Sequence, residues 1–262
     1  MKILIVGGTG FIGSNLLDVL PAGVQCTVLA RNIPSIKTLR NNINYIACDV
    51  RAFKAKPGWY THIIHAADAG VLGTKNLLKC KPERFLYISS GAAYFPGTVY
   101  SDSKIASEMM VKAANGVIAR CFTFTGPHMQ FGGRFAIGSF IQDAFNDQVI
   151  RVKGDGQSVR SYLYSKDMAE TLWKLLLTGK PKHVYNVGAK EPITMKQLAR
   201  EIAAQVSKKI KKCILVEIQH GDIQGLAPKK YLPEDVVTLG DEQTSIKEAI
   251  SKTIDWYMEN HK

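Results

Sequence analysis

The segment KILIVGGTGFIG, residues 2–13, decides the fold because a short apolar run passes directly into a turn rich in glycine. Residues 2–6 have the length and the aliphatic content of a buried strand. Gly7, Gly10 and Gly13 fit the spacing GxxGxxG, and apolar residues at helical spacing begin near Phe11. A strand, a glycine turn and a helix in this order are typical of the first βαβ unit of a parallel sheet.

The same alternation continues through the first two-thirds of the chain, where short β-rich runs are separated by helical patterns. The candidate strands are residues 2–6, 25–30, 44–50, 61–67, 84–90 and 116–124. Strands that alternate with helices in this way predict an α/β fold with a Rossmann doubly wound parallel sheet.

The glycine turn is a candidate phosphate-binding cradle. Gly8, Gly10 and Gly13 also fit GxGxxG, and the turn lies between a strand and a helix, which is the context that makes this motif specific. The amides of the helix that starts with Phe11 and Ile12 would face a pyrophosphate. We therefore predict dinucleotide binding, and the alternative is a purely structural turn.

The position that distinguishes two dinucleotides follows the second candidate strand. There an acidic residue would contact the ribose 2′-hydroxyl of NAD, but the sequence has Arg31 and Asn32. A guanidinium pairs with a 2′-phosphate, so these residues favour NADP(H), with NAD(H) possible. The alternative is an exposed arginine without a ligand.

The pattern changes after Gly126 and Pro127, where glycine turns, helical patterns and short strands are mixed. We predict an NAD(P)-binding Rossmann domain at residues 1–126. Residues 127–262 are expected to add the remaining strands and helices and a small C-terminal substrate-binding lobe, interleaved with the first domain rather than folding separately.

Composition limits the class of protein. The chain has 262 residues, 46% of them hydrophobic, and no apolar run long enough to cross a membrane, so we expect a cytoplasmic globular protein without a membrane partner. Its five cysteines and six histidines are scattered, which predicts reduced thiols and no metal site.

The net charge of +12 favours an anionic partner without identifying it. The densest basic cluster is VSKKIKKC, which contains Lys208, Lys209, Lys211 and Lys212 and no aromatic residue for base stacking. We interpret it as a solvated loop and expect no nucleic-acid partner.

Two tyrosine–lysine pairs share one spacing. Tyr100 and Lys104 are four residues apart, as are Tyr162 and Lys166. In a helix this spacing puts both side chains on one face, which suits proton chemistry and a solvated stripe equally well. The spacing alone does not choose between the pairs.

Nearly the whole chain resembles the extended short-chain dehydrogenases/reductases, the NAD-dependent epimerase/dehydratase family. The resemblance is carried by a series of short motifs in the family's order. They are GGTGFIG, CDV, IIHAA, GTKNLL, YISSGAAY, YSDSKIASE, ARCFTFTGP, GDGQSVRSYLYSKDMAE, YNVGAKEPITMKQLA, YLPED and IDWYMEN.

The resemblance implies further cofactor-binding residues. Asp49 and Val50 of the CDV motif would lie beside the adenine. Ala66 and Ala67 of IIHAA would follow the fourth strand and border the dinucleotide.

The resemblance also separates the two pairs, because Tyr100 follows a strand that ends in serine. Tyr100 would then be the proton donor, with Lys104 favouring its phenolate and binding the nicotinamide ribose. Ser90 would hydrogen-bond the reacting oxygen, and Arg160 would bind a phosphate of the substrate. The alternatives are a strand-end cap for Ser90 and a surface charge for Arg160.

Residues that the family uses for other reactions are missing. Family dehydratases carry Asp-Glu where this chain has Gly91 and Ala92, so 4,6-dehydration is not expected. Gly91 and Gly132 replace the Cys and His of members that also epimerise neighbouring carbons. The expected reaction is reduction of a nucleotide-diphosphate 4-keto(-6-deoxy) sugar; the alternatives are an NAD-dependent 4-epimerase and a noncatalytic NADP(H)-binding scaffold.

Two segments are shorter than is usual in the family. Five residues separate Ala67 from Gly73, and five separate Tyr94 from Tyr100. Such segments shape the substrate pocket and part of the helix pair through which members dimerise. A remodelled pocket, or a chain from which loops are absent, is therefore expected, with a homodimer possible.

Overall fold

The computed structural model describes residues 1–33, 40–133, 135–219, 228–237 and 243–261. Within them the strands, in chain order, are β1 (Lys2–Val6), β2 (Gln25–Ala30), β3 (Ile43–Ala47), β4 (His62–His65), β5 (Arg84–Ser90), β6 (Val117–Cys121), β7 (Thr123–Thr125), β8 (Val149–Lys153), β9 (Val159–Arg160), β10 (Tyr162–Tyr164), β11 (Val184–Val187), β12 (Ile193–Thr194), β13 (Leu215–Gln219) and β14 (Lys230–Tyr231). The helices are α1 (Phe11–Asp18), α2 (Gly70–Leu78), α3 (Val99–Ala113), α4 (Ala136–Asn146), α5 (Ser165–Thr178), α6 (Met195–Ile210) and α7 (Ile246–Asn260).

The described residues form two compact units. The first contains Met1–Cys121, Met168–Val187 and a short segment that begins at Val237. The second contains Phe122–Asp167 and Gly188–Val236, together with the C-terminal helix α7. The change of unit after Cys121 precedes the predicted break at residue 126, and the domain assignment made from the sequence stays a prediction.

The first unit is built on a seven-stranded sheet in the order β3-β2-β1-β4-β5-β6-β11, and its neighbouring strands are parallel. The chain winds outward from β1 to β3 and then returns to place β4 on the other side of β1. This arrangement confirms the predicted α/β class and the Rossmann doubly wound sheet. The point where the winding reverses lies between β1 and β4.

The central strands are apolar on both faces because helices cover the two sides of such a sheet. Ile3, Leu4 and Ile5 of β1 are completely buried, as are Ile63 and Ile64 of β4. Burial on both faces explains why these strands occur in the sequence as uninterrupted aliphatic runs rather than as alternating patterns.

Several features of the strands differ from the sequence-based expectations. The predicted strand 44–50 ends at Ala47, because Asp49 and Val50 belong to a turn in which Asp49 accepts the amide of Ala52. The predicted strand 116–124 divides into β6 and β7, which lie in different sheets. The seventh strand, β11, pairs with β6 from a distant part of the sequence.

Small sheets and three long helices make up the second unit. β8 pairs with β13, β7 pairs with β10, and β9 lies between β12 and β14. Helix α6 begins with a capping box, in which Thr194 accepts the amide of Gln197 and the Gln197 side chain accepts the amide of Thr194. These elements lie in the part of the chain where the sequence predicts a small C-terminal lobe.

None of the helices in the described ranges combines the length and the apolar character that a membrane span requires.

Candidate active site

The sequence-predicted cofactor residues of the first unit lie at one edge of the seven-stranded sheet. Gly7 follows β1, Arg31 follows β2, Asp49 follows β3 and Ala66 follows β4. Because these strands are parallel, their carboxyl ends meet at the same edge. This edge includes the reversal point between β1 and β4, which is where open α/β sheets bind ligands.

The glycine turn needs glycine at two positions for different reasons. Gly7 has φ +81°, and a Cβ atom there would lie 3.0 Å from the amide nitrogen of Ala67. A Cβ at Gly13 would overlap the carbonyl oxygen of Gly7 and the Cα of Gly8. The first position allows the turn to approach the end of β4, and the second lets α1 start directly against the turn.

The first turn of α1 offers the amides that a diphosphate would use. Gly10 is the N-cap, with no side chain over the helix end, and its carbonyl accepts the amide of Ser14 at 2.8 Å. Phe11 and Ile12 are half-buried in this first turn. The cradle that a Cβ would fill and the uncapped helix end together fit the pyrophosphate of a dinucleotide.

The residues after β2 and β3 include two arginines, Arg31 and Arg51, that both act on the Asp49 carboxylate. Arg31 and Asn32 are exposed, whereas Val50 is buried. Arg51 donates to both carboxylate oxygens of Asp49, at 3.0 Å and 2.6 Å, and this pairing lowers the pKa of Asp49 to about 2, with a smaller contribution from Arg31. Asp49 is therefore ionised at neutral pH and already holds one guanidinium.

Ser90 is the last residue of β5, directly before the short 3-10 helix Gly91–Tyr94. Its hydroxyl oxygen accepts the amide of Ala92 at 3.1 Å, so Ser90 caps the end of the strand, which is one of the two functions expected from the sequence. The Ser90 side chain also acts on the Tyr100 phenol, because it lowers the pKa of that group against the larger effect of burial. Ser90 is therefore both a cap of the short helix and a neighbour of the Tyr100 phenol.

Tyr100 and Lys104 are both on helix α3, one turn apart. The helix begins at a capping box, in which Thr98 accepts the amide of Ser101 at 3.0 Å and its own amide donates to the Ser101 hydroxyl at 3.1 Å. Tyr100 is 44% exposed and Lys104 only 6%. The two side chains thus share a face, with the phenol toward solvent and the ammonium inside.

Lys104 is held by its surroundings. Its ammonium donates to the carbonyl oxygen of Ile88 at 3.3 Å and lies 3.9 Å from a carboxylate oxygen of Asp68. It also lies 5.4 Å from the ring centre of Tyr87 and 5.5 Å from that of Tyr100. Burial lowers the pKa of Lys104, and the Asp68 carboxylate opposes this shift.

The pKa of Tyr100 is shifted in the direction opposite to that expected from Lys104 alone. Partial burial raises this pKa most, the Ser90 side chain opposes the change, and the charge of Asp68 adds to it. Desolvation of the phenolate is the largest of these effects. The neutral phenol, which is the proton-donating form, is favoured.

A buried ion pair lies one turn beyond Lys104 and was not predicted. The Glu108 carboxylate accepts from Ser89 at 2.5 Å and from two nitrogens of Arg120 at 2.9 Å and 2.7 Å. The Arg120 guanidinium lies 4.4 Å from the ring centre of Tyr94. The sequence signal for this pair was the four-residue spacing from Lys104 to Glu108. The partners of Glu108 could not be identified without the register of the sheet.

The second tyrosine–lysine pair is arranged differently. Tyr162 is on strand β10 and is buried, whereas Lys166 is in the first turn of α5. Burial raises the pKa of Tyr162. The four-residue spacing therefore crosses from a strand to a helix here, and no common helical face exists.

Arg160 belongs to the second unit, on strand β9. It follows a turn in which Gly154 and Gly156 have φ of +75° and +70°. Its guanidinium donates to the carbonyl oxygen of Val159 at 2.7 Å and lies 5.7 Å from the ring centre of Tyr231. The function of Arg160 as a phosphate ligand stays a prediction from the sequence.

The cysteines and the basic cluster lie outside the groups described above. All five cysteines are free, and Cys213 is exposed, unlike the buried Cys26, Cys80 and Cys121. No group of metal-ligating side chains occurs in the part of the chain that the structure describes. In the basic cluster, Lys209 is in the last turn of α6 and pairs with Asp255 at 2.5 Å, so part of the predicted loop is helical.

Residues 3–188 match the model of the NAD dependent epimerase/dehydratase family. A trifunctional UDP-glucose 4,6-dehydratase/UDP-4-keto-6-deoxy-D-glucose 3,5-epimerase/UDP-4-keto-L-rhamnose-reductase of Arabidopsis thaliana is 30% identical over an alignment of 221 residues. The alignment covers 72% of this chain and 32% of that protein. The chain thus spans about a third of the length of this relative.

Other relatives match over nearly their full length. The dTDP-D-glucose 4,6-dehydratase of Homo sapiens is 24% identical over 318 residues, covering 99% of this chain and 90% of that protein. This alignment is longer than the chain, so the relative carries segments that have no counterpart here. The expectation that the segments after Ala67 and Tyr94 are shortened stays a prediction, since the alignment length does not locate the unmatched segments.

Solved structures share the fold. A UDP-glucuronic acid 4-epimerase from Bacillus cereus in complex with NAD has a TM-score of 0.82 and 19% identity, with 100% of both chains covered. A dTDP-glucose 4,6-dehydratase from Bacillus anthracis in complex with NAD has a TM-score of 0.81 and 20% identity, with 100% of this chain and 97% of that chain covered.

Proposed function

The chain belongs to the NAD dependent epimerase/dehydratase family, and we propose that it reduces the keto group of a nucleotide-diphosphate 4-keto(-6-deoxy) sugar. The observation that carries this proposal is the grouping of Ser90 at the end of β5 with Tyr100 and Lys104 on α3, where burial raises the pKa of Tyr100 and keeps its phenol neutral. A neutral phenol beside a fixed hydroxyl is suited to donating a proton to a developing alkoxide.

The proposed cofactor is NADP(H), which when bound supplies a hydride from its nicotinamide. Gly7, Gly10 and Gly13 would hold its pyrophosphate with the first amides of α1. The exposed Arg31 supports a 2′-phosphate, since Asp49 is already paired with Arg51. NAD(H) is the second candidate, and it is the cofactor named for the solved relatives.

The remaining cofactor contacts would come from residues on the same sheet edge. Asn32 would accompany Arg31 at the ribose, and Asp49 and Val50 would lie beside the adenine. Ala66 and Ala67, which pack against the glycine turn, would border the dinucleotide near the reversal point. This set is supported by the common edge that the parallel strands create.

Each residue of the group would have its own task in the reaction. The Tyr100 hydroxyl would donate its proton to the oxygen on which negative charge develops. The Ser90 hydroxyl would donate a hydrogen bond to the same oxygen, while its own oxygen keeps the amide of Ala92. Lys104 would bind the ribose of the cofactor and hold a positive charge beneath the phenol ring.

The substrate class is supported by the names of the relatives, which act on UDP and dTDP sugars. Arg160 would bind a phosphate of the substrate, with its guanidinium oriented by the Tyr231 ring. Dehydration at carbons 4 and 6 is not proposed, because Gly91 and Ala92 supply no carboxylic acid. A homodimer and a cytoplasmic location stay predictions from the sequence.

Two other functions make different predictions. A 4-epimerase, supported by the UDP-glucuronic acid 4-epimerase fold match, would retain tightly bound NAD after purification and interconvert UDP-hexoses without added cofactor. A noncatalytic NADP(H)-binding scaffold, supported by the +12 charge, would bind the dinucleotide and consume none.

The deciding experiment releases any bound cofactor for mass analysis and then supplies NADPH with a panel of 4-keto-6-deoxy nucleotide sugars. We expect oxidation of NADPH by the wild type and a loss of about 10²–10⁴-fold in Tyr100→Phe, the usual contribution of a general acid. Tyr162→Phe is the matched control, since it removes the same hydroxyl from the other pair. Equal activity of Tyr100→Phe and the wild type would refute the proposal.

A further inference from the structure

The connection between β4 and α2 brings a carboxylate to the Tyr100–Lys104 pair. Strand β4 ends at His65 and α2 begins at Gly70, so the connection is short. Gly70 has φ +61°, and a Cβ there would lie 3.6 Å from the Ser103 hydroxyl on α3. The connection therefore follows α3 closely, and its Asp68 carboxylate lies 3.9 Å from the Lys104 ammonium.

The other ionisable groups near Lys104 are neutral or already paired. Burial lowers the pKa of His65 to about 3 and raises that of the Cys121 thiol to about 12, so neither is charged at neutral pH. The Glu108 carboxylate is bound by both nitrogens of the Arg120 fork. Tyr87 is a buried phenol whose pKa is raised by desolvation.

Asp68 is therefore the anion left facing the pair among the residues that the structure describes. Its side chain is 69% exposed, whereas that of Lys104 is 8% exposed. A negative charge beside the ammonium cancels part of the field that would otherwise favour the Tyr100 phenolate. The phenol then keeps its proton.

We propose that Asp68 is a positioning residue that holds the Lys104 ammonium and keeps Tyr100 in its protonated, proton-donating form. The direction matters because reduction of a ketone consumes a proton at the reacting oxygen, whereas oxidation of an alcohol requires a base there. Asp68 thus biases the pair toward reduction. The effect on the reaction rests on the proposed function, whereas the effect of the Asp68 charge on Lys104 and Tyr100 does not.

The effect of the Asp68 charge on Tyr100 is tested on the protein without substrate, by difference titration of phenolate absorbance. Subtracting the titration of Tyr100→Phe from that of the wild type isolates Tyr100 among the ten tyrosines. The same difference is then measured in Asp68→Asn, where we expect Tyr100 to titrate at lower pH. Asp68→Glu should restore the wild-type value.

Salt and a matched variant separate a charge effect from a packing effect. The Debye length falls from about 10 Å at 0.1 M to about 3 Å at 1 M salt, so high salt should shift the wild type toward Asp68→Asn and leave that variant nearly unchanged. Asp255→Asn removes a carboxylate from another lysine pair and should leave Tyr100 unaffected. An identical Tyr100 titration in Asp68→Asn and the wild type at low salt would overturn the proposal.

The pH–rate profile then connects the charge to the reaction. For the reduction, the alkaline limb of kcat should move to lower pH in Asp68→Asn and return with Asp68→Glu. A shifted titration with no sugar reduced would refute the proposed function and leave the role of Asp68 supported. If the wild type reduces the sugar but Asp68→Asn moves neither the Tyr100 titration nor the alkaline limb of kcat, the role of Asp68 is refuted and the proposed function is not.

Discussion

Replacing Glu108 by Gln should destabilise the first unit strongly. The carboxylate is 3% exposed, and it accepts hydrogen bonds from Ser89 on β5 and from both sides of the Arg120 fork on β6. An amide has the same shape but carries no charge, and one of its two terminal atoms donates rather than accepts. The variant therefore leaves the Arg120 guanidinium without its counter-charge and opposes one of its N–H groups with another donor.

The magnitude follows from the burial of the two partners. Removing one member of a buried ion pair costs about 3–5 kcal/mol, because the other charge stays desolvated and uncompensated. The Arg120 side chain is 16% exposed and also packs on the Tyr94 ring, which gives it some alternative stabilisation. We therefore expect the lower end of this range, about 3 kcal/mol.

The assay is urea unfolding, with thermal unfolding as a second probe. For a domain of this size 1 kcal/mol corresponds to roughly 2–4 °C in Tm, so Glu108→Gln should lower Tm by roughly 6–12 °C. The matched control is Glu248→Gln, whose carboxylate pairs with Lys252 at 2.7 Å on an exposed surface and should cost less than about 1 kcal/mol. If the two variants lose equal stability, the reasoning from burial fails.

Four other substitutions test the cradle, the buried histidine and the cofactor preference. Gly13→Ala should lower the free energy of unfolding by about 1–3 kcal/mol in urea, because its Cβ meets backbone atoms. A Cβ at Gly10 would lie 3.4 Å from its nearest neighbour, so Gly10→Ala should keep stability. The same variant should weaken dinucleotide binding, measured by calorimetry. Burial lowers the pKa of His65 from 6.5 to about 3. The free energy of unfolding should therefore fall as pH decreases from 6.5 to about 3, by up to about 1.4 kcal/mol per pH unit. His65→Leu should remove this contribution when unfolding is measured against pH. Arg31→Ala should weaken NADPH binding roughly 10–100-fold and leave NADH binding unchanged, as measured by fluorescence titration.

The sequence predicted β1, β2 and β5 to the residue because buried parallel strands leave uninterrupted apolar runs between turn residues. Glycine spacing located the turn after β1 for an equally local reason, since few turns need so many residues without a side chain. The end of β3 was missed because Val50 is apolar and buried although it lies in a turn. Burial and strand pairing are separate properties, and hydrophobicity reports only the first.

Long-range pairing explains the other differences. The assignment of β11 to the main sheet depends on its pairing with β6, which no local pattern encodes. The contact of Asp68 with Lys104 likewise requires the path of the connection after β4. Single charged residues in a turn carry no periodic signal, so sequence reasoning found the pair on α3 and missed the carboxylate beside it.

The spacing of Tyr100 and Lys104 acquires chemical meaning from a third residue on the same helix. Glu108 continues the four-residue series, and its bonds to β5 and β6 fix the rotation of α3 about its own axis. With that rotation fixed, Lys104 is directed to the carbonyl of Ile88 and Tyr100 to the end of β5, where Ser90 lies. Tyr162 has the same spacing to its lysine but begins on a strand, so no such anchor can align that pair. The helix rotation, rather than the interval between two residue types, is therefore what makes Tyr100 the candidate proton donor.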